Sequence, residues 1–157
     1  MVGRWLGLGA ERLGLTGMLI RSGDTAFAAL RANRHPRTDE NLTIRVRSDR
    51  IAFYDLVCSA PKSVSILAVT FGDERLRAAH DAAVAVAFGE LERFAGRRLA
   101  EDGFALPSAT RVTGNLVAAA FTHDSSRELE AQLHTHCVCA NATQDSDGRW
   151  FALDIGC

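Results

Sequence analysis

His123-Asp124-Ser125-Ser126-Arg127 and, five residues on, Gln132-Leu133-His134-Thr135-His136 form the stretch whose reading decides the fold. On a β-strand, residues i and i+2 point to the same face, so His134 and His136 project side by side. His123 ends the strand before. If strands over 110–123 and 133–143 pair as neighbours, its imidazole completes a three-nitrogen face.

Three imidazoles suit Zn, Mn, Ni or Cu better than Mg by ligand softness. Three protein ligands also leave coordination positions open, as in catalytic sites. An open cation beside a phosphate would polarise it as a Lewis acid. Against this stands the plainer reading of polar residues on the exposed face of an amphipathic strand. His35 and His80 have no such company.

Outward from this stretch, Arg149 to Leu153 reads as a further strand, joined to its predecessor by a turn at Asp147-Gly148. The strand over 110–123 bends at Gly114, and Pro107 ends the loop before it. Gly72-Asp73 opens the clearest helix, over 73–95, with Leu76, Ala83, Ala87, Leu91 and Phe94 on one stripe. His80 falls on the same stripe as a core or boundary histidine. Ser59-Ala60-Pro61 reads as a helix start, a capping hydroxyl and then proline at the first helical position. The β-branched residues of 64–71 leave a strand there as the alternative.

Toward the N-terminus, Ile51 to Val57 is an apolar strand. Leu42, Ile44 and Val46 alternate with Thr43, Arg45 and Arg47, which predicts a half-buried strand with a basic outer face. Thr25 to Asn33 is a helix capped by Asp24 or Thr25, presenting Phe27 and Leu30 and broken at His35-Pro36-Arg37. Gly3, Gly7, Gly9, Gly14 and Gly17 make the start loop-rich, with at most a short helix. The sum is an α+β fold, an antiparallel sheet with helices packed on one face.

The 157 residues suit a single domain. Apolar residues at 47% and charged residues at 24% exclude wholesale disorder. No apolar run reaches the ~18 residues of a membrane span and no signal-like start is present, which predicts a soluble cytoplasmic protein. Cys58, Cys137, Cys139 and Cys157 form no C-x-x-C pair, so a disulfide framework or thiolate zinc site is not expected. Cys137 and Cys139 read as small core residues. The net charge of -1 conceals nine arginines against five acids in residues 1–50, +4 there and -5 in the remainder. A basic N-terminal third can track phosphates.

Three blocks make the chain resemble the conjugative relaxases of the TrwC type, the MobF class of the HUH endonucleases. Trp5-Leu6-Gly7-Leu8-Gly9-Ala10-Glu11-Arg12-Leu13-Gly14-Leu15-Thr16-Gly17 is similar to that family's glycine-rich segment. Asp55-Leu56-Val57-Cys58-Ser59-Ala60-Pro61-Lys62-Ser63-Val64-Ser65 resembles its most characteristic motif. Gly114-Asn115-Leu116-Val117, then His123, then Gln132-Leu133-His134-Thr135-His136 resemble its metal-ligand block.

The resemblance implies an HUH palm, with His123, His134 and His136 holding one divalent cation, Mg or Mn in function, with Zn, Ni or Cu compatible. It implies metal-assisted nicking of single-stranded or hairpin DNA at a transfer origin, alongside other relaxosome proteins and without a membrane partner. Asp55 would orient a metal-bound histidine or accept the tyrosine proton. Lys62 and Ser63 at a helix start, and Arg127 on the loop joining the histidine strands, would contact phosphates.

In that family the nucleophilic tyrosines precede the glycine-rich block. Here that block begins at Trp5, and the only tyrosine is Tyr54. It adjoins Asp55, so the two face opposite ways. The expectation is a relaxase domain truncated at both ends and inactive in nicking. The alternatives are a non-catalytic DNA-binding remnant and an unrelated metal-dependent phosphodiesterase or oxygenase.

Overall fold

The structure, a computed structural model, describes residues 2–44, 49–101 and 104–154. Along the chain run β1 (Gly3–Leu6), α1 (Leu8–Arg12), β2 (Leu19–Ile20), α2 (Thr25–Arg31), β3 (Phe53–Ser59) and α3 (Lys62–Ser65), the last continued by a π-helical turn over Ile66–Thr70. Then come α4 (Glu74–Glu92), β4 (Gly96–Glu101), β5 (Phe104–Val112), β6 (Ala118–Ser125), β7 (Ala131–Ala140), β8 (Thr143–Gln144) and β9 (Trp150–Phe151). A five-stranded antiparallel sheet in the order β2-β1-β6-β7-β3 forms the centre, with β4–β5 and β8–β9 as separate ribbons. The expected α+β class and the pairing of the two histidine-bearing strands hold.

Strand alternation gives the sheet two apolar faces. On one, Ala118, Ala120, Cys137 and Cys139 pack against Val84 and Phe88 of α4, with Tyr54, Leu56 and Cys58 of β3 at the margin. α4 and α3 back this face. On the other, Trp5, Ala119 and Ala140 pack with Leu13, Leu15 and Leu30. There Phe27 of α2 stacks on Phe53 at 4.8 Å and meets Phe121 edge-on at 6.2 Å. α2 therefore lies over the histidine side, started by Asp24, whose side chain accepts from the Phe27 N–H. Cys58, Cys137 and Cys139 are free thiols, the last two buried, as the sequence suggested.

Several expectations need correction. The start is not mainly loop, because β1 pairs with β6. Gly3, Gly7 and Gly9 serve close contact, whereas a Cβ on Gly17, at φ +78, would meet nothing within 4 Å. A Cβ on Gly3 would lie 2.5 Å from the Phe121 ring, and one on Gly7, at φ +97, would lie 2.3 Å from the Leu116 carbonyl oxygen. Residues 41–44 form no strand but isolated bridges, with Thr43 buried and Ile44 62% exposed. Val46 and its neighbours 45–48 lie outside the described residues. α2 ends at Arg31, before the His-Pro pair, with Asn33 at φ 58.

Ser59 closes β3 rather than capping a helix, and Pro61 takes the cap position itself. The strand alternative for 64–71 is excluded. Residues 104–112 pair with β4 as a ribbon separate from β6, so Pro107 sits in a strand rather than ending a loop. On α4 the buried line is His80, Val84, Phe88 and Glu92, while Leu91 is 45% and Phe94 76% exposed. No described helix is long and apolar enough to cross a membrane.

Glu92 shows why a carboxylate belongs on that line. Its Oε1 accepts from the N–H groups of Leu8 and Leu116, each at 2.7 Å. It thereby ties the first turn of α1 and the lead-in to β6 to the end of α4. A buried N–H left without a partner costs about 1–3 kcal/mol. Glu92→Ala should therefore destabilise the fold by about 2–4 kcal/mol in urea unfolding, with Glu92→Gln recovering most of the loss. Equal midpoints for Glu92→Ala and the parent would contradict this role.

Candidate metal centre

The β6–β7 register puts His123 directly opposite His134, and Phe121 opposite His136. All three imidazoles share the α2-side face at the open end of the sheet. Their ring centres are 5.1 Å apart for His123–His134, 5.3 Å for His123–His136 and 5.2 Å for His134–His136. A metal–nitrogen bond of about 2.1 Å places each ring centre roughly 3.2 Å from an ion. Rings at right angles to tetrahedral angles about that ion would then lie about 4.5–5.2 Å apart. The observed triangle matches the upper end of that range.

The second nitrogens fix the tautomers. Nδ1 of His134 lies 3.0 Å from the Gln132 carbonyl oxygen, and Nδ1 of His136 lies 2.7 Å from Asp55 Oδ2. A carbonyl can only accept, and a carboxylate accepts in the same way, so both Nδ1 atoms carry the hydrogen. Both Nε2 lone pairs are thereby free for a Lewis acid. Burial, then the neighbouring His134 and His136, lowers the pKa of His123 below the ordinary histidine value. That shift favours the neutral, ligand-competent form.

Among the described residues no three His, Cys, Asp or Glu donors are already closed to coordination distance. The rings are gathered without being clamped. His123 and His134 stack at an interplanar angle of 24°.

The other sequence-derived candidates fall at or near the same end of the sheet. Asp55 sits opposite Val138 on the histidine face of β3, and its Oδ2 lies 2.7 Å from His136 Nδ1. Tyr54 sits opposite Cys139 and packs into the reverse-face core, away from the histidines. Lys62 pairs with Glu130 at 2.7 Å, both exposed, linking α3 to the β6–β7 loop. That bond holds the Glu130 carboxyl below its usual range. Ser63 is exposed on α3. Arg127 is exposed on the loop and makes no side-chain bond among the described residues, because Asp124 faces Arg77 instead at 3.6 Å.

Two contributors escaped sequence reading. The Gln132 carbonyl is a main-chain group that any residue would supply. Ser65 is buried, donates to the Pro61 carbonyl at 3.1 Å and accepts the Leu133 N–H at 3.0 Å, fastening α3 to the start of β7. A serine four residues after a helix-capping proline is the one signal that could have pointed to it.

A family model described as TrwC relaxase matches residues 1–156. Two relatives, each named Multifunctional conjugation protein TraI, one from Escherichia coli strain K12 and one from Escherichia coli, are 45% and 44% identical over 151 residues. The alignment spans 96% of this chain but 8% of each relative.

Among solved structures, the conjugative relaxase TrwC in complex with oriT DNA, metal-bound, matches with a TM-score of 0.84 at 40% identity, over 97% of this chain and 51% of that one. Its copper-bound counterpart matches with a TM-score of 0.85 at 38% identity, over 99% and 51%. TrwC with a 27-mer DNA comprising the recognition hairpin and the cleavage site gives 0.84 at 40% identity, over 97% and 53%. The chain thus spans under a tenth of the TraI relatives and about half of the solved relaxase chains.

The Asp55–His136 contact makes a prediction that needs no metal. Imidazole ¹⁵N shifts of the metal-free protein above pH 8 should report the Nδ1–H tautomer for His136, and Asp55→Ala should release that preference. An Nε2–H tautomer in the parent would contradict the arrangement.

Proposed function

The chain belongs to the TrwC relaxase family, and on that premise we propose that it presents single-stranded or hairpin DNA from a transfer origin to a divalent cation held by His123, His134 and His136. The observation that carries this reading is the triangle of ring centres at 5.1–5.3 Å, with two of the three Nδ1 atoms already engaged. The metal-bound and copper-bound TrwC complexes support it by analogy. Mg or Mn is the working ion in this reading, and three nitrogens accommodate Zn, Ni or Cu as well. DNA as the substrate puts the protein in the cytoplasm.

When bound, the ion would supply Lewis-acid polarisation of the scissile phosphate and offset charge developing on its oxygens. The remaining tasks fall to side chains. Asp55 holds the His136 ring and raises the basicity of its Nε2. The Gln132 carbonyl does the same for His134. Arg127, exposed and without a carboxylate partner among the described residues, would meet a neighbouring phosphate. Lys62 would exchange Glu130 for a phosphate on α3 beside Ser63, at little loss because exposed pairs are weak.

Tyr54 is the only tyrosine in the sequence, and it lies on the reverse face. No phenol among these 157 residues is placed to attack a phosphate on the histidine face. That favours a second reading, in which these residues alone bind metal and DNA without covalent cleavage.

Metal content after dialysis against Mn²⁺ or Ni²⁺, compared between the parent and a His134→Ala plus His136→Ala variant, tests the site. One ion per parent chain, lost in the variant, is expected. In the same preparations, anisotropy of a labelled hairpin-bearing single strand should show affinity falling roughly tenfold or more between 50 and 200 mM salt. Equal metal in both proteins, or DNA affinity indifferent to salt, would overturn the proposal.

A further inference from the structure

The strands that carry the histidines also carry, on their reverse face, a chain of polar groups for which the proposed chemistry has no use. Thr122 and Thr135 form the cross-strand pair next to His123 and His134. Their hydroxyl oxygens are 2.9 Å apart. Thr135 is fully buried between the two ligand positions 134 and 136. From α4, His80, itself 8% exposed, brings its Nε2 to 3.0 Å from the Thr135 hydroxyl. At the rim, Thr122 reaches Asp81 at 3.5 Å, and Asp81 holds Arg4 of β1 at 3.1 Å.

This wiring joins three elements at one spot. α4, β1 and the β6–β7 hairpin all meet behind the histidine triangle. Alternation means that Thr135 and its two neighbours share one short piece of backbone with opposite directions of projection. A shift of the strand that moves Thr135 against α4 also moves His134 and His136 on the far face. A buried hydroxyl bonded to a buried ring resists such a shift, because separating them leaves the His80 ring nitrogen without its partner away from water.

We propose that Thr135, with His80 behind it and Thr122 beside it, is a positioning residue for the metal-binding histidines. It holds the strand between residues 134 and 136 at the depth where both Nε2 atoms and that of His123 reach one ion. None of the three touches the histidine face, so the role is exercised through the backbone alone. The inference rests on the metal reading above and extends it to residues on the other side of the sheet.

Co²⁺ titration of the full chain, followed by visible absorption, tests it, with urea unfolding of each metal-free protein as the control for stability. Thr135→Val keeps the side-chain volume and removes the hydroxyl. His80→Leu removes the ring nitrogen that meets Thr135, and His80→Gln retains an amide able to bond Thr135. Thr135→Val and His80→Leu should weaken Co²⁺ binding about tenfold or more and alter the absorption bands, as is usual for groups that orient ligands. His80→Gln should stay closer to the parent.

Parent-like Co²⁺ affinity and spectrum in Thr135→Val and His80→Leu would overturn the inference, whatever their unfolding midpoints, while leaving the metal site standing. If Thr135→Val does not fold, Thr122→Val and His80→Leu give the same readout. If the parent binds Co²⁺ no better than the His134→Ala plus His136→Ala variant, the metal reading fails, and the positioning role falls with it.

Discussion

The facing of His123 and His134 across the β6–β7 ladder is the constraint on which the site depends. Two imidazoles on neighbouring antiparallel strands share a face only when their residues are in register. A slip of one residue would turn a whole strand's side chains to the opposite side of the sheet. The register is held from both flanks. β3 pairs with β7 from Phe53↔Ala140 through Ser59↔His134, and β1 pairs with β6 at Arg4, Trp5 and Leu6. Apolar clusters on each face then penalise the flipped arrangement, which would bury His134 and His136 against α4 and expose Cys137 and Leu133. The burial of Ala118, Ala120 and Cys137 on one face thus determines where the histidines project on the other.

Much of this was legible because it depends on local periodicity. The i, i+2 spacing of His134 and His136 placed them on one face, and the opposite projection of Tyr54 and Asp55 followed from the same rule. Asp24 before a helical stretch is a capping signal that needs no tertiary context. What escaped depends on groups far apart in sequence. His80 was legible as a core or boundary residue, but the buried line of α4 also includes Glu92, which a search for apolar residues discards. Alanines at 78, 79, 82, 83, 85 and 87 surround that helix, so its apolar content does not select a face. Glu92 is explained only by Leu8 and Leu116, 84 and 24 residues away in sequence.

Glycine and proline misled in a complementary way. Gly3 and Gly7 resemble loop punctuation, yet they stand where the Phe121 ring and the Leu116 carbonyl approach too closely for a Cβ. Pro107 resembles a breaker, but each strand of a two-stranded ribbon has one unpaired edge, where a missing N–H is tolerated. At residues 41–44 the apolar alternation is real, but Thr43 rather than Ile44 turns inward, where its hydroxyl meets the side chain of Asn33. Polar pairing overrode hydrophobic pattern there.

A histidine binds a metal through one nitrogen while the other fixes its tautomer. The carboxylate at 55 was legible in its motif, whereas the carbonyl at 132 is a part of the site that alternation cannot reveal. X-ray absorption on the Ni²⁺- or Mn²⁺-loaded protein tests the central claim most directly. The account predicts one ion per chain, with three imidazole nitrogens in its first shell at about 2.1 Å. A shell of oxygen donors containing fewer than two imidazoles would contradict it.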